Sequence, residues 1–308
     1  MESAASPSTT LAQIFSKANL GELPAMSDHV QELLAMLNNS EASAQNIADI
    51  ILKDASLTTK LLQVANSAYY NRGVPILSVS RAITTLGLAA LKELVLALAL
   101  FEDFLKAGVE KEEISKLLAQ CFLSATQAKL LCKAKRLSAP EEEVFICTLL
   151  HHLGKIIVLV YLPDLYRKIE EMVEQGYSDD FSSRTILNDL PFSRIGMEIA
   201  RFWNFSQKII LSMSDNPPPP TNKLDSQLYL LNVAVFCNQL TQVICHGSDL
   251  DLSELMLRFG PMMDINRRET LALANRSVDA AEDMGGIIRA GISKLKVRSR
   301  IAQKADKG

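Results

Sequence analysis

The chain has 308 residues, 48% of them hydrophobic, with a formal net charge of -3. That length and apolar content suit one large or two small globular domains with an ample core. The mildly acidic balance excludes a general attraction to nucleic acid or to an anionic membrane, leaving only local patches to provide one.

Met1–Thr10 is small and polar, with no secretory signal, and reads as a frayed tail. Val30, Leu33, Leu34 and Leu37 then recur at helical spacing, with Ser27 placed to accept an orphan backbone N–H as N-cap. Ser43 is placed to cap a second helix carrying Ile47, Ile50 and Ile51, and a third runs through Leu57, Leu61, Val64 and Ala65. A turn-rich stretch, Tyr69–Pro75, leads to a short helix with Ala82, Ile83 and Leu86, which Gly87 is expected to end. Leu88–Leu105 is long and apolar. A soft boundary falls near Gly108, and Glu110–Arg136 reads as one long helix.

Pro140 is placed to start a helix, and Glu141, Glu142 and Glu143 favour the positive end of its dipole. Val144–Leu162 follows, with His151, His152 and Lys155 at its centre; Ile83–Phe101 carries Lys92 and Glu93 in the same way. Charges there cost roughly 2.5–3.5 kcal/mol each on membrane-insertion scales. Both stretches are therefore expected to be buried core helices, not membrane spans. Pro163 opens Asp164–Glu174, which Gly176 closes, and Pro191–Phe202 is another helix. Pro217–Pro220 forms a stiff connector and a second soft boundary. Helices follow at Leu224–Cys245, Leu252–Phe259, Asn266–Asp283 and Ile287–Leu295.

The tail after Ser293 is basic, with Lys294, Lys296, Arg298, Arg300, Lys304 and Lys307. It reads as a solvated, flexible terminus, with contact to nucleic acid or acidic lipid as the functional alternative. No strand-like alternation, Gly-rich phosphate loop or internal repeat occurs, so the expected fold class is all-α, a multi-helix bundle.

Five cysteines, Cys121, Cys132, Cys147, Cys237 and Cys245, form no Cys-x-x-Cys pair. Most lie in apolar helical patterns and are expected to be reduced and buried, which fits a cytoplasmic protein. No Gly-x-Ser-x-Gly elbow supports Ser-His-Asp catalysis. Cys245-His246 reads as a buried thiol beside an exposed imidazole.

The first half carries a recognisable string. Leu23-Pro24-Ala25-Met26 precedes the first helix, and Ile47-Ala48-Asp49-Ile50-Ile51 lies in the second. Ala65-Asn66-Ser67-Ala68-Tyr69-Tyr70 follows, then Ser78-Val79-Ser80-Arg81-Ala82-Ile83 leading to Leu86-Gly87. In this order the segments resemble the HDOD domain, a bacterial signalling output module related to HD-type metal-dependent phosphohydrolases. The resemblance runs from about Leu20 to Met213 and is weak beyond the prolines. It implies an HDOD domain over 20–215, with subdomains 20–108 and 109–215, the second HD-like. Residues 1–19 would be a tail with a short helix, and 221–308 a helical extension with the basic tail. Asn66, Ser67, Tyr69, Tyr70, Arg81 and Gly87 are the family-motif positions. They read either as a fold-defining turn or as part of a partner or ligand surface.

The HD relationship also implies a metal site built from His and Asp side chains on several helices. The chain has four histidines, His29, His151, His152 and His246. His151 matches the family's histidine, while His152 stands where its aspartate belongs. Leu123 precedes Ser124 upstream, Phe192 and Ser193 stand where a later histidine is expected, Ser212–Asp215 occupies the region of a further pair, and Asn238 replaces an aspartate. The expectation is no metal, no cofactor and no catalysis, since too few ligands survive. His151, His152 and Lys155 then define either a hydrogen-bonded remnant pocket or a cleft for a small anionic ligand. As positions i and i+4, His151 and Lys155 are expected on one helix face.

The resemblance therefore implies a non-catalytic signalling module in a bacterial sensory or second-messenger pathway. It would bind other signalling proteins, with a homodimer as one candidate assembly, and neither membrane span nor nucleic-acid binding is expected. The alternative is a divergent HD-type phosphohydrolase acting on nucleotides or cyclic dinucleotides, in which Asp and Glu replace the missing histidines around His151.

Overall fold

The structure is a computed structural model that describes residues 35, 43–53, 55–66, 76–107, 110–137, 141–203, 205–220, 225–282 and 286–305. The Val30–Leu37 helix (Ala35 apart), the Tyr69–Pro75 turn, His29, Gly108, Pro140 and the motif residues Ser67, Tyr69 and Tyr70 lie outside the described residues. What is described is all-helical, with sixteen helices and no strand.

Four helices form the N-terminal module: α1 (Ala44–Lys53), α2 (Ala55–Asn66), α3 (Val79–Leu86) and α4 (Leu88–Ala107). Ser43 caps α1, its hydroxyl accepting from the Asn46 N–H at 3.2 Å. Ser78 does the same for α3 through Arg81 N, and Gly87, at φ +79, ends that helix by donating to the Ile83 carbonyl. Asn66 stitches the module together. Its amide donates to the Leu62 and Ile76 carbonyls at 2.9 and 2.5 Å, and its carbonyl accepts from Ile76 N at 2.6 Å. The side chain thus ties the end of α2 to Ile76, just before α3, in keeping with the fold-defining reading of that motif position. Arg81 is exposed.

The centre of the molecule is α5 (Lys111–Lys135). Every residue from Leu117 to Lys129 is buried, as expected of a helix surrounded on all sides. It is flanked by α6 (Glu141–Leu149) and by three later helices, α12 (Ser226–Cys245), α14 (Arg267–Glu282) and α15 (Gly286–Leu295). Gly291 lets α15 lie directly on α5: a Cβ there would stand 2.5 Å from the Ser115 carbonyl. Between these come α7 (Leu153–Tyr161), α8 (Pro163–Glu174), α9 (Asp179–Ile186), α10 (Phe192–Phe202) and α11 (Gln207–Ser212), with α10 packed on α7 and α9 on α8. One continuous apolar core runs from Ile47 to Ile301.

Helix α13 (Asp249–Met263) starts three residues before the predicted Leu252, because Ser248 and Asp251 form a capping box there. The last helix, α16 (Val297–Ala305), corrects the expectation of a flexible basic tail. Arg300 and Lys304 donate to the Cys245 and Gly247 carbonyls at the open end of α12, where the helix dipole favours cations. Lys294 pairs with Glu112, and Arg298 with Asp279 and Glu282. The basic residues named here are thus occupied within the fold. Two stretches, Glu143–Tyr161 and Ser226–Cys245, are long and apolar enough to cross a membrane by composition, yet most of each is buried inside the bundle.

Candidate functional site

The predicted continuous helix Val144–Leu162 is broken at the histidines. Helix α6 stops at Leu149 and α7 starts at Leu153. The bonds His151 N to Thr148 O and Leu153 N to Leu150 O, 3.3 and 3.0 Å, span three residues instead of four. This tightened turn brings the backbone of Gly154 against α10, where a Cβ would stand 1.9 Å from the Phe192 carbonyl oxygen and 2.7 Å from Gly196 N.

The break separates the two side chains that the i, i+4 spacing had placed on one face. His151 is buried in the turn, and its Nδ1–H donates to the Ser212 carbonyl at 2.6 Å. A carbonyl only accepts, so Nδ1 carries the proton and the Nε2 lone pair faces Asp215, whose Oδ1 lies 3.9 Å away. His152 packs edge-on against it, ring centroids 5.2 Å apart. Burial pushes the pKa of His151 down against the pull of Asp215, and burial with the neighbouring His151 and Lys155 pushes His152 further down. Both rings are neutral at neutral pH.

Lys155 reaches elsewhere. Its Nζ lies 3.1 Å from both oxygens of Asp179 and 3.1 Å from Glu170 Oε1, and 5.8 Å from the ring centroids of Tyr166 and Phe192. Gln242 donates to Asp179 at 3.4 Å, so α7, α8, α9 and α12 meet at one ammonium. Burial alone would lower the pKa of Lys155; Asp179, Tyr166 and Glu170 outweigh it and hold the group well above the ordinary lysine value. The buried cation is matched by two carboxylates. An incoming anion would have to displace them.

Sequence reasoning missed both carboxylates. Asp179 sits in the first turn of α9, a helix whose start is signalled only by Ser178, which accepts from Phe181 N. Glu170 belongs to the foreseen helix α8, but nothing in the spacing says that it faces Lys155.

The other expected HD positions converge on this region. Asn238 Nδ2 donates to the carbonyls of Ala234 and Thr148, at 2.9 and 3.3 Å, the second lying in the helix end just before His151. Its Oδ1 is buried with no hydrogen-bond partner among the described residues. Ser124 donates to Thr241 at 2.8 Å, Thr241 to Gln127 at 3.2 Å, and Gln120 to the ring nitrogen of His246 at 3.0 Å. His246 is exposed and Cys245 buried, as the sequence implied; all five cysteines are free and buried. At the dyad, His151 Nε2 faces one carboxylate, Asp215, at 3.9 Å. Among the described residues no group of three or more His, Cys, Asp and Glu side chains is disposed to hold a metal.

A consequence in pH follows from the neutral histidines. In the unfolded chain both titrate near 6.5; in the fold they titrate lower. In the window between, the unfolded state binds more protons, so stability rises with pH and is lost as pH falls below about 6.5. Burial raises the carboxyl pKa of Glu93, which works in the opposite sense, so the variants isolate the effect. Urea midpoints at about pH 7.5 and about pH 5.5 are expected to fall for the wild type and to change less for His151→Gln and His152→Gln. Parallel profiles for all three proteins would contradict neutral burial.

Comparison with known proteins places these features in context. The family model for the HDOD domain matches residues 23–217. A protein of Treponema pallidum (strain Nichols) is 25% identical over 191 residues, which are 62% of this chain and 37% of that relative's length. Among solved structures, an HDOD domain protein of unknown function from Geobacter sulfurreducens superposes with a TM-score of 0.59 at 18% identity, covering 96% of this chain and 98% of its own. A Shewanella amazonensis SB2B protein provisionally named a phosphohydrolase gives a TM-score of 0.62 at 20% identity, covering 94% and 98%. At these identities the likeness is one of fold. It extends past the prolines, so the C-terminal helices belong to the shared architecture although the sequence resemblance fades there.

Proposed function

The chain belongs to the HDOD domain family, and on that premise we propose that it is a regulatory module that works by engaging other signalling proteins, without catalysis of its own. The observation that carries this reading is the closed state of the dyad pocket. The Nδ1–H of His151 is committed to Ser212, the Lys155 ammonium to Asp179 and Glu170, and His152 occupies the place of a charged ligand. The Lys155 cation is matched by carboxylates of its own fold, and a neutral ring stands where the resemblance expects an anionic ligand, so the pocket lacks both the free cation and the charged ligand that phosphate chemistry would use. The proposal extends to a cytoplasmic setting in a bacterial sensory or second-messenger circuit, to which five free buried thiols are suited.

A divergent phosphohydrolase keeps one observation in its favour, the Asp215 carboxylate 3.9 Å from His151 Nε2. The two readings separate on metal content and turnover. Purified protein is expected to carry substoichiometric Mn, Fe and Mg and to hydrolyse neither bis-p-nitrophenyl phosphate nor cyclic dinucleotides. Stoichiometric metal with turnover that His151→Ala abolishes would establish the hydrolase instead.

A further inference from the structure

We propose that the exposed aromatic pair at the corner between α8 and α9 is the docking site for an arginine-bearing segment of a partner protein. This rests on the signalling reading above and gives it a contact surface.

The local sequence builds this corner from two caps set back to back. Helix α8 ends in a Schellman turn: Gly176, at φ +97, donates to the Val173 carbonyl at 2.9 Å, and Tyr177 N donates to the Met172 carbonyl at 3.2 Å. Ser178 follows at once as the N-cap of α9, accepting from Phe181 N. Tyr177 is held between the two, and its ring stacks on Phe181 with centroids 5.3 Å apart and planes 24° apart. Tyr177 is nonetheless 49% exposed and Phe181 52% exposed. Rings fixed by their own backbones lose little freedom on binding, which is what makes an aromatic anchor effective.

The charges of the corner select the occupant. From Ile169 to Ser183 the chain carries five carboxylates and neither Lys nor Arg. Glu170 and Asp179 are committed to Lys155, and Asp180 to Arg184. Glu171 and Glu174, both exposed in the last turn of α8, pair with no cation among the described residues. Arg184, the nearest cation in sequence to the rings, is held between Asp180 and Asp189. The cation–ring contacts of the described residues lie elsewhere, at Tyr166, Phe192 and Phe259. The corner thus offers open ring faces beside unmatched negative charge. An apolar side chain would cover the rings and leave the carboxylates without a partner. An ammonium would meet the carboxylates but is strongly hydrated. A guanidinium satisfies both, since it is planar, weakly hydrated, stacks on aromatic faces and bonds a carboxylate through two N–H groups.

The probe is a fluorescein-labelled peptide in which arginine alternates with serine, read by anisotropy against the full chain. Saturable binding with a Kd on the order of 100 µM at low salt is expected. The same peptide with lysine for arginine is expected to bind about fivefold more weakly or worse. Tyr177→Ala and Phe181→Ala are each expected to weaken binding about tenfold, and Glu171→Gln with Glu174→Gln about threefold. All four positions are exposed, and circular dichroism and Tm should match the wild type. The proposal is overturned by absence of saturable binding, by lysine or leucine peptides binding as tightly as the arginine peptide, or by indifference to both ring substitutions. Displacement of the peptide by millimolar choline would assign the rings to a small quaternary ammonium and would also overturn it. Metal-dependent turnover in the earlier experiment would end the signalling reading by itself; lost peptide binding without turnover would end only this assignment.

Discussion

Gly154→Ala is expected to abolish stable folding, costing roughly 4 kcal/mol or more, at the extreme of single-residue effects. The added Cβ would meet the Phe192 carbonyl oxygen at 1.9 Å, Gly196 N at 2.7 Å and the Phe192 carbonyl carbon at 2.9 Å. All three are backbone atoms of α10, so no rotamer change relieves the clash, and α7 and α10 must separate along their whole contact. The reciprocal change, Gly196→Ala, is milder because its Cβ would meet Gly154 N at 3.0 Å and the movable sulfur of Met213 at 3.1 Å. Soluble yield and urea denaturation measure the difference. Gly154→Ala protein with a wild-type midpoint would show that this helix pair is not as close as described.

Lys155→Met is expected to destabilise by about 2–3 kcal/mol, the lower part of the range for breaking a buried ion pair. The side chain of Lys155 is 6% exposed, but those of Asp179 and Glu170 are 28% and 37% exposed. The stranded carboxylates can therefore regain part of their hydration, which keeps the cost below that of a fully buried orphan charge. Adding Asp179→Asn and Glu170→Gln removes the unpaired charges and is expected to recover most of the loss. Equilibrium denaturation of the wild type, Lys155→Met and the triple variant decides it. If the triple variant is no more stable than Lys155→Met, the ammonium is not held chiefly by these carboxylates.

The sequence made much of the architecture legible because caps and breakers are local. Ser43, Ser78, Gly87, Pro163 and Pro191 each mark a helix edge within a residue or so of where it lies. What it hid was set by contacts distant along the chain. The break at His151 and His152 answers to Gly154 meeting Phe192, and the ends of Lys155's ion pairs lie 15 and 24 positions away. The i, i+4 argument assumed an unbroken helix, so it paired Lys155 with the wrong neighbours. The basic tail was misread for the same reason: the carbonyls that order Arg300 and Lys304 lie 55 and 57 residues upstream. The identities at the expected HD positions, by contrast, are read directly from the sequence, since which side chain stands at a position does not depend on where it packs.

The burial of α5 has a consequence in time. Its seam with α12 joins residues far apart in sequence: Ser124 to Thr241 spans 117 positions and Gln120 to His246 spans 126. An all-helical chain usually folds fast because its contacts are local; this one must close loops of the length typical of β-rich domains before its central helix is covered. During synthesis at ~5–20 residues per second, α5 emerges roughly 6–25 s before α12 arrives to shield it. Through that interval the helix destined for the centre of the bundle has no mate on that side, and the buried run Leu117–Lys129 stays open to association with other chains.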